Sequence, residues 1–260
     1  MAGKKQRQRR LARERHERRL ARRVQRERRT RVWSIGITAV VVVIGGTVGG
    51  VVFAGRSTGT STTPKAGATT TAHCTYTANP PAARKVNFPP ATASKKASYR
   101  ATITTNRGPI VIDLLNSKAT CTVNSFVSLA RQGFYNNTPC PRLSSSASPF
   151  MLQCGDPTGK GTGGPGYEFA SENLTGATYP AGTMAMANSA GQPDSNGSQF
   201  FLVYQNSSLP PDYTPFGKIV SGLNILQNVG KRGYGPPLSS AGGGAPKESV
   251  EIESVTIKQT

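Results

Sequence analysis

The chain has 260 residues and a formal net charge of +20, carried by 32 lysines and arginines against 12 aspartates and glutamates, with only two histidines. Fifteen of the cations and three of the acids precede Val32, so the basic balance describes an N-terminal tail and leaves +8 for everything after it. Both histidines, His16 and His73, precede residue 99, which excludes Ser-His and Cys-His nucleophiles and histidine-ligated metals from the 99–260 region.

Residues 1–31 form a basic tail, expected to act as a cytoplasmic topology signal rather than as a nucleic-acid binder. Residues 32–54 follow as an uncharged run of Val, Ile, Gly and Ala, long enough for the roughly 20 apolar residues that cross a bilayer. The run is longer than the ~7–15 residue core of a cleaved signal peptide, so the expectation is one transmembrane helix. Together with the tail it predicts a single-pass protein of the cell membrane, N-terminus cytoplasmic and C-terminal domain extracytoplasmic. Residues 55–98 are a Ser/Thr/Pro-rich linker with almost no large apolar side chain, expected to be disordered except near Cys74-Thr-Tyr76 if a disulfide forms there. All four cysteines, Cys74, Cys121, Cys140 and Cys154, lie beyond the apolar run. Their even count suits two disulfides in an oxidising compartment, and the sequence does not choose among the three pairings. No Cys-x-x-Cys spacing is present, so no metal is expected.

The folded domain is expected at 99–260. Tyr99, Ala101 and Ile103 alternate with polar residues, Asn106-Arg-Gly-Pro109 supplies a turn, and Ile110, Ile112 and Leu114 alternate again, which predicts a β-hairpin. A helix follows, with Thr120 or Thr122 as cap, Val123, Phe126, Val127 and Ala130 on one face and Gly133 as stop. Further strands are predicted at Gly182–Asn188, Ser198–Tyr204, Thr214–Val220 and Ser249–Lys258, with a short helix at Leu223–Val229. Many short strands, two helices and abundant Gly and Pro turns predict a mainly β domain: a closed antiparallel barrel with helical caps.

The chemistry available to this domain is narrow. Its nine acids include no spaced catalytic pair, and Glu168 and Glu172 lie in a glycine-rich segment. Gly155-Asp-Pro-Thr-Gly-Lys-Gly161 has its glycines too close together for a phosphate loop, and Gly161 stands where a hydroxyl would bind magnesium. Ser144–Ser146 lack a partner base. What remains is the stretch Pro139–Asp156. If its two ends are antiparallel strands, Met151 and Gln153 share one face and lie beside Arg142. A second stretch from Asn196 to Tyr204 has Gln199 and Phe201 alternating with Phe200 and Leu202. One reaction needs an arginine, amides and an apolar pocket without nucleophile, base or cofactor: rotation about a peptidyl-proline bond, whose barrier of about 18–20 kcal/mol reflects lost amide resonance. At the twisted geometry the proline nitrogen becomes an acceptor, and a guanidinium aimed at it bonds the transition state more strongly than the planar ground state.

Phe150-Met151 with Gln153 and Gly155-Asp156, then Met186-Ala187-Asn188, Asn196-Gly-Ser-Gln-Phe-Phe201 and Phe216-Gly217, resemble the successive motifs of the cyclophilin family of peptidyl-prolyl isomerases, in unbroken order from about Tyr99 to Lys258. The resemblance implies eight barrel strands capped by two α-helices, no cofactor, Xaa-Pro-containing polypeptides as partners and a monomeric domain. It puts Arg142 on the catalytic arginine, and Phe150, Met151 and Phe201 on the proline pocket. Gln153 and Gln199 fall on its amide contacts, and Ala187 and Asn188 on the strand that pairs with substrate backbone. Leu209 and Tyr213 complete the rim, where Leu209 or Ser208 stands in place of the family's tryptophan and Tyr213 in place of a histidine. Pro141 replaces the histidine that usually precedes the arginine.

Overall fold

A computed structural model describes residues 70–189, 192–237 and 242–260. The basic tail, the apolar segment 32–54 and the start of the expected linker lie outside the described residues. Among the described residues no helix is long and apolar enough to cross a membrane, and the expected transmembrane helix at 32–54 lies outside them.

In chain order the described elements begin with three short strands, β1 (Thr71–His73), β2 (Thr77–Ala78) and β3 (Thr92–Ser94), followed by β4 (Tyr99–Thr105), β5 (Gly108–Leu114) and helix α1 (Thr120–Arg131). Next come β6 (Thr138–Pro139), β7 (Arg142–Ser144), β8 (Met151–Cys154), β9 (Tyr167–Glu168), β10 (Thr183–Met186), β11 (Phe200–Val203) and β12 (Pro215–Ser221). Helix α2 (Leu223–Arg232) and strands β13 (Tyr234–Pro237), β14 (Gly244–Pro246) and β15 (Glu251–Gln259) complete the series. The β4–β5 hairpin forms as its alternation predicts, with Ala101, Ile103, Ile110 and Ile112 turned into the core. Phe126 of α1 fills the centre, its ring 5.2 Å from Tyr135, 5.7 Å from Phe200 and 5.5 Å from Phe216.

The expected closed eight-stranded barrel is corrected. Eleven of the described strands pair in one linear order, β13-β14-β7-β8-β11-β10-β12-β5-β4-β15-β6, and among the described residues no ladder joins β13 to β6. The open ends of this order are β13 and β6, while β7, which follows β6 on the chain, lies inside it between β14 and β8. Pro139 and Pro141 flank Cys140 where the chain passes from β6 to β7, and a proline has no N–H to give to a ladder. So β6 pairs with β15, β7 pairs with β8, and the chain crosses between them without strand pairing.

The helix cap is also corrected. Neither Thr120 nor Thr122 caps α1; the N-cap residue is Ala119, without a side-chain bond. Instead the Glu172 carboxylate accepts the N–H groups of Cys121 (3.2 Å) and Thr122 (2.7 Å) and the Thr122 hydroxyl (2.7 Å). An anion at the N-terminus complements the helix dipole.

The disordered linker is corrected from residue 70 onward, because residues 70–98 pack on the domain as a strap. The strap buries little apolar surface and is held by other means. β1 pairs with β3 and β2 with β9, and a disulfide joins Cys74 to Cys121. Tyr76 stacks edge-on against Tyr167 and Phe169 while its hydroxyl donates to the Cys121 carbonyl (2.8 Å). Arg84 donates to the carbonyls of Phe134 (3.1 Å), Asn136 (2.6 Å) and Asn137 (3.3 Å), just past the end of α1. The second disulfide is Cys140–Cys154, so of the three possible pairings this one is realised.

The Cys74–Cys121 bond spans 47 residues of sequence, so its loss in a Cys74→Ala/Cys121→Ala variant of the full chain is expected to cost about 4 kcal/mol by loop-closure entropy. Chemical denaturation, with limited proteolysis of residues 70–98, reads that loss; unchanged stability and an intact strap would contradict it.

Candidate active site

The strand register sorts the side chains of β7, β8, β10 and β11 onto two faces. Arg142 lies opposite Gln153, Gln153 opposite Phe201, and Phe201 opposite Ala185, so these four form one row across four strands. Met151 and Val203 form the next pair on the same face. The alternate residues, Leu143, Leu152, Cys154, Phe200, Leu202 and Met184, point into the main core. On the site face, Met151, Tyr179, Ala185, Phe201 and Val203 make a separate buried cluster, edged by the half-buried Ala177, Ala187, Leu209 and Tyr213. The floor of the site is thus apolar and aromatic. Phe201 and Tyr213 meet edge to face at 5.5 Å, and Tyr179 lies 6.3 Å from both.

Beside this floor runs a chain of amides. Arg142 Nη1 donates to Gln153 Oε1 (2.9 Å), Gln153 Nε2 donates to Gln199 Oε1 (2.8 Å), and Gln199 Nε2 donates to the Gly163 carbonyl (3.0 Å). Arg142 Nε donates to the Gly242 carbonyl (2.9 Å). Bonds at both Nε and Nη1 fix the plane of the guanidinium. Burial lowers the Arg142 pKa from its usual value, with Tyr213 acting in the opposite sense. The guanidinium stays a cation because its ordinary pKa is so far above neutral.

The far end of that amide chain is held by Asp156. Its Oδ1 accepts the Thr158 N–H (2.7 Å), and its Oδ2 accepts the N–H groups of Thr162 and Gly163 (3.0 Å each) and the Thr158 hydroxyl (2.9 Å). This wraps the glycine-rich segment around one carboxylate. A Cβ on Gly163 would run into the Asp156 carboxylate, so the close approach requires glycine. Burial pushes the Asp156 carboxyl up, but the bonds from Gly163 and Thr158 outweigh it and hold the group below the ordinary carboxylate value.

Of the residues picked from sequence, Arg142, Gln153 and Gln199 form the polar edge, and Met151, Phe201, Ala187, Leu209 and Tyr213 belong to the apolar cluster or its margin. Asn188 serves differently: its Nδ2 donates to the Asp212 carbonyl (2.8 Å), tying down the segment that carries Leu209 and Tyr213. Phe150 is not brought into the cluster. It packs against the main core, with its ring 6.3 Å from Tyr204, because it falls on the other side of the alternation from Met151. The sequence reading missed Ala185, which period-two spacing from Ala187 would have found. It also missed Tyr179, which comes from an irregular segment with no periodic signal.

Residues 100–257 match the family described as cyclophilin type peptidyl-prolyl cis-trans isomerase/CLD. The chain belongs to the cyclophilin family. Among curated proteins it is 48% identical over 191 residues to "Probable peptidyl-prolyl cis-trans isomerase B" of Mycobacterium leprae, covering 68% of this chain and 61% of that protein. Against the protein of the same name in Mycobacterium tuberculosis the identity is 44% over 205 residues, covering 72% and 64%. The match therefore spans less than two thirds of the length of these relatives. Among solved structures, a Cryptosporidium parvum cyclophilin type peptidyl-prolyl cis-trans isomerase, crystallised in the presence of the dipeptide Ala-Pro, superposes with a TM-score of 0.53 at 29% identity, covering 62% of this chain and 99% of that one.

For this cyclophilin domain the Asp156 anchor gives a pH prediction. Because the folded carboxyl titrates below its unfolded value of about 3.9, its contribution to stability is complete above that pH and is lost as the pH falls through the lower folded value. An Asp156→Asn variant should be less stable than the parent at pH 6, and the gap should narrow steadily as the pH is lowered below about 4. Urea unfolding of both proteins across that range measures it; a constant gap would show that the carboxylate's charge is irrelevant.

Proposed function

We propose that the protein accelerates cis–trans isomerisation of Xaa-Pro bonds in secreted or envelope proteins, with Arg142 as the catalytic residue. The observation that carries this is the doubly held Arg142 guanidinium beside the Met151–Phe201–Tyr213 floor. The apolar floor takes the pyrrolidine ring and excludes water from it. Arg142 meets the proline nitrogen as amide resonance is lost, and Gln153 and Gln199 supply amide contacts along the same edge. A hydrogen bond from a charged donor contributes about 1.5–3 kcal/mol, and each 1.36 kcal/mol off a barrier is tenfold in rate, so the arginine accounts for roughly 10- to 100-fold. Neither proton transfer nor a covalent intermediate is required. One chain supplies every residue named, which supports a working monomer.

The second half of the proposal is location. An oxidising extracytoplasmic compartment is supported by the engagement of all four cysteines in two disulfides. The order of basic tail before apolar segment supports attachment at the cell membrane with the tail on the cytoplasmic side.

With the full chain in mild detergent and a short Ala-Pro peptide, isomerisation should be clearly faster than the uncatalysed exchange, which takes tens to hundreds of seconds. Arg142→Ala should lower kcat/KM by about 100-fold, and Arg142→Lys should recover little, since lysine keeps the charge but not the fork. A folded parent that binds the peptide without accelerating it would make the protein a proline-peptide binding module instead. For location, a protease added to intact spheroplasts should remove the 70–260 region while a cytoplasmic protein survives; protection of that region would overturn the assignment.

A further inference from the structure

We propose that the Cys140–Cys154 disulfide is a positioning device for Arg142, fixing the catalytic guanidinium where a β-ladder cannot; this rests on the isomerase reading given above. The strand that carries Arg142 is weakly held. β7 has three residues, pairs with β8 through three positions and with β14 through the single pair Gly244–Leu143. Arg142–Gln153 is the last rung of the β7–β8 ladder. The next rung would use residue 141, a proline, which has no N–H to donate. End rungs fray first, and here the end rung is the pair whose side chains make the Arg142–Gln153 hydrogen bond.

The disulfide sits directly beyond that rung. Cys154 adjoins Gln153 on β8, and Cys140 lies two residues before Arg142, anchored to the next segment by its own N–H to the Val250 carbonyl (2.8 Å). Both cysteines are buried, at 2% and 1% exposure, and Cys154 lies opposite Phe200 of the core. The covalent tie therefore stands in for the missing hydrogen bonds at the point where β6 and β7 part company. It clamps β7 to β8 from the core side while the arginine works on the opposite face. The other disulfide, Cys74–Cys121, joins the strap to α1 and touches none of the strands that carry the site.

This contrast supplies the test. A Cys140→Val/Cys154→Ala variant and a Cys74→Ala/Cys121→Ala variant of the full chain are compared with the parent. The second is the control: it opens the longer loop, 47 residues against 14, so it perturbs overall stability at least as much. Positioning predicts that the first variant loses about tenfold in kcat with KM changed less than twofold, while the control keeps the parent's kcat. The second readout does not depend on activity: hydrogen exchange at the Nε–H of Arg142, followed by NMR in arginine-labelled protein and assigned by its disappearance in Arg142→Lys. Protection should fall about tenfold or more in the first variant and remain in the control. If the parent proves catalytically silent, the isomerase reading fails and the exchange measurement alone decides the positioning role. If the first variant does not fold, the folded Cys74→Ala/Cys121→Ala protein, in which Cys140–Cys154 is the remaining disulfide, is compared before and after reduction with a phosphine. Equal kcat and equal exchange protection in parent and the Cys140/Cys154-broken protein would overturn the proposal, as would a matching kcat loss in the control.

Discussion

In the proposed isomerase role a flexible cation must keep a fixed direction, and the bond from Arg142 Nη1 to Gln153 Oε1 sets that direction. The rest of the site follows from keeping this bond in register. Gln153 is held in turn by Gln199, Gln199 by the Gly163 carbonyl, and Gly163 by the Asp156 carboxylate. Each link is an uncharged amide or a backbone group until the chain ends at a fully satisfied carboxylate. No second charge therefore competes for the guanidinium along this path.

The two-faced sheet explains how the same four strands build both a core and a binding floor. Leu152, Phe200 and Leu202 bury against Phe126 and its aromatic neighbours, while Met151, Phe201 and Val203 gather on the opposite side. A side chain moved by one position along β8 or β11 would change faces, so the register of these short strands carries the identity of the site. The strap at 70–98 contributes from a distance. It ties α1 and the segment after it through Cys121, Arg84 and Tyr76, and α1 presents Phe126 to the underside of the floor strands.

The strap also illustrates why composition misjudges some segments. Read as a sequence, residues 70–98 lack the apolar surface to fold, and that judgement is correct for the segment alone. It becomes ordered because its partners are elsewhere: a cysteine on α1, a run of carbonyls beyond α1, and a strand edge at Tyr167–Glu168. None of these partners lies near it on the chain. The cap of α1 has the same origin, since Glu172 stands about fifty residues from the helix start it neutralises.

By itself the sequence determined the longer strands and the two helices of the domain, the absence of histidine chemistry from 99–260, and, for a hairpin over Pro139–Asp156, the place of Met151 and Gln153 beside Arg142, while the resemblance to the cyclophilin motifs added Gln199 and Phe201. All but the last follow from local periodicity and residue type, which need no partner to be read. Only the tertiary structure decided that Phe150 turns to the core, that Tyr179 joins the floor, that the strap is ordered, which cysteines pair, and that the strand order ends at β13 and β6 without closing among the described residues. Each of those outcomes depends on a group brought close by folding from a distant part of the chain, or on how strands line up with one another. Period-two and period-3.6 patterns carry no information about either.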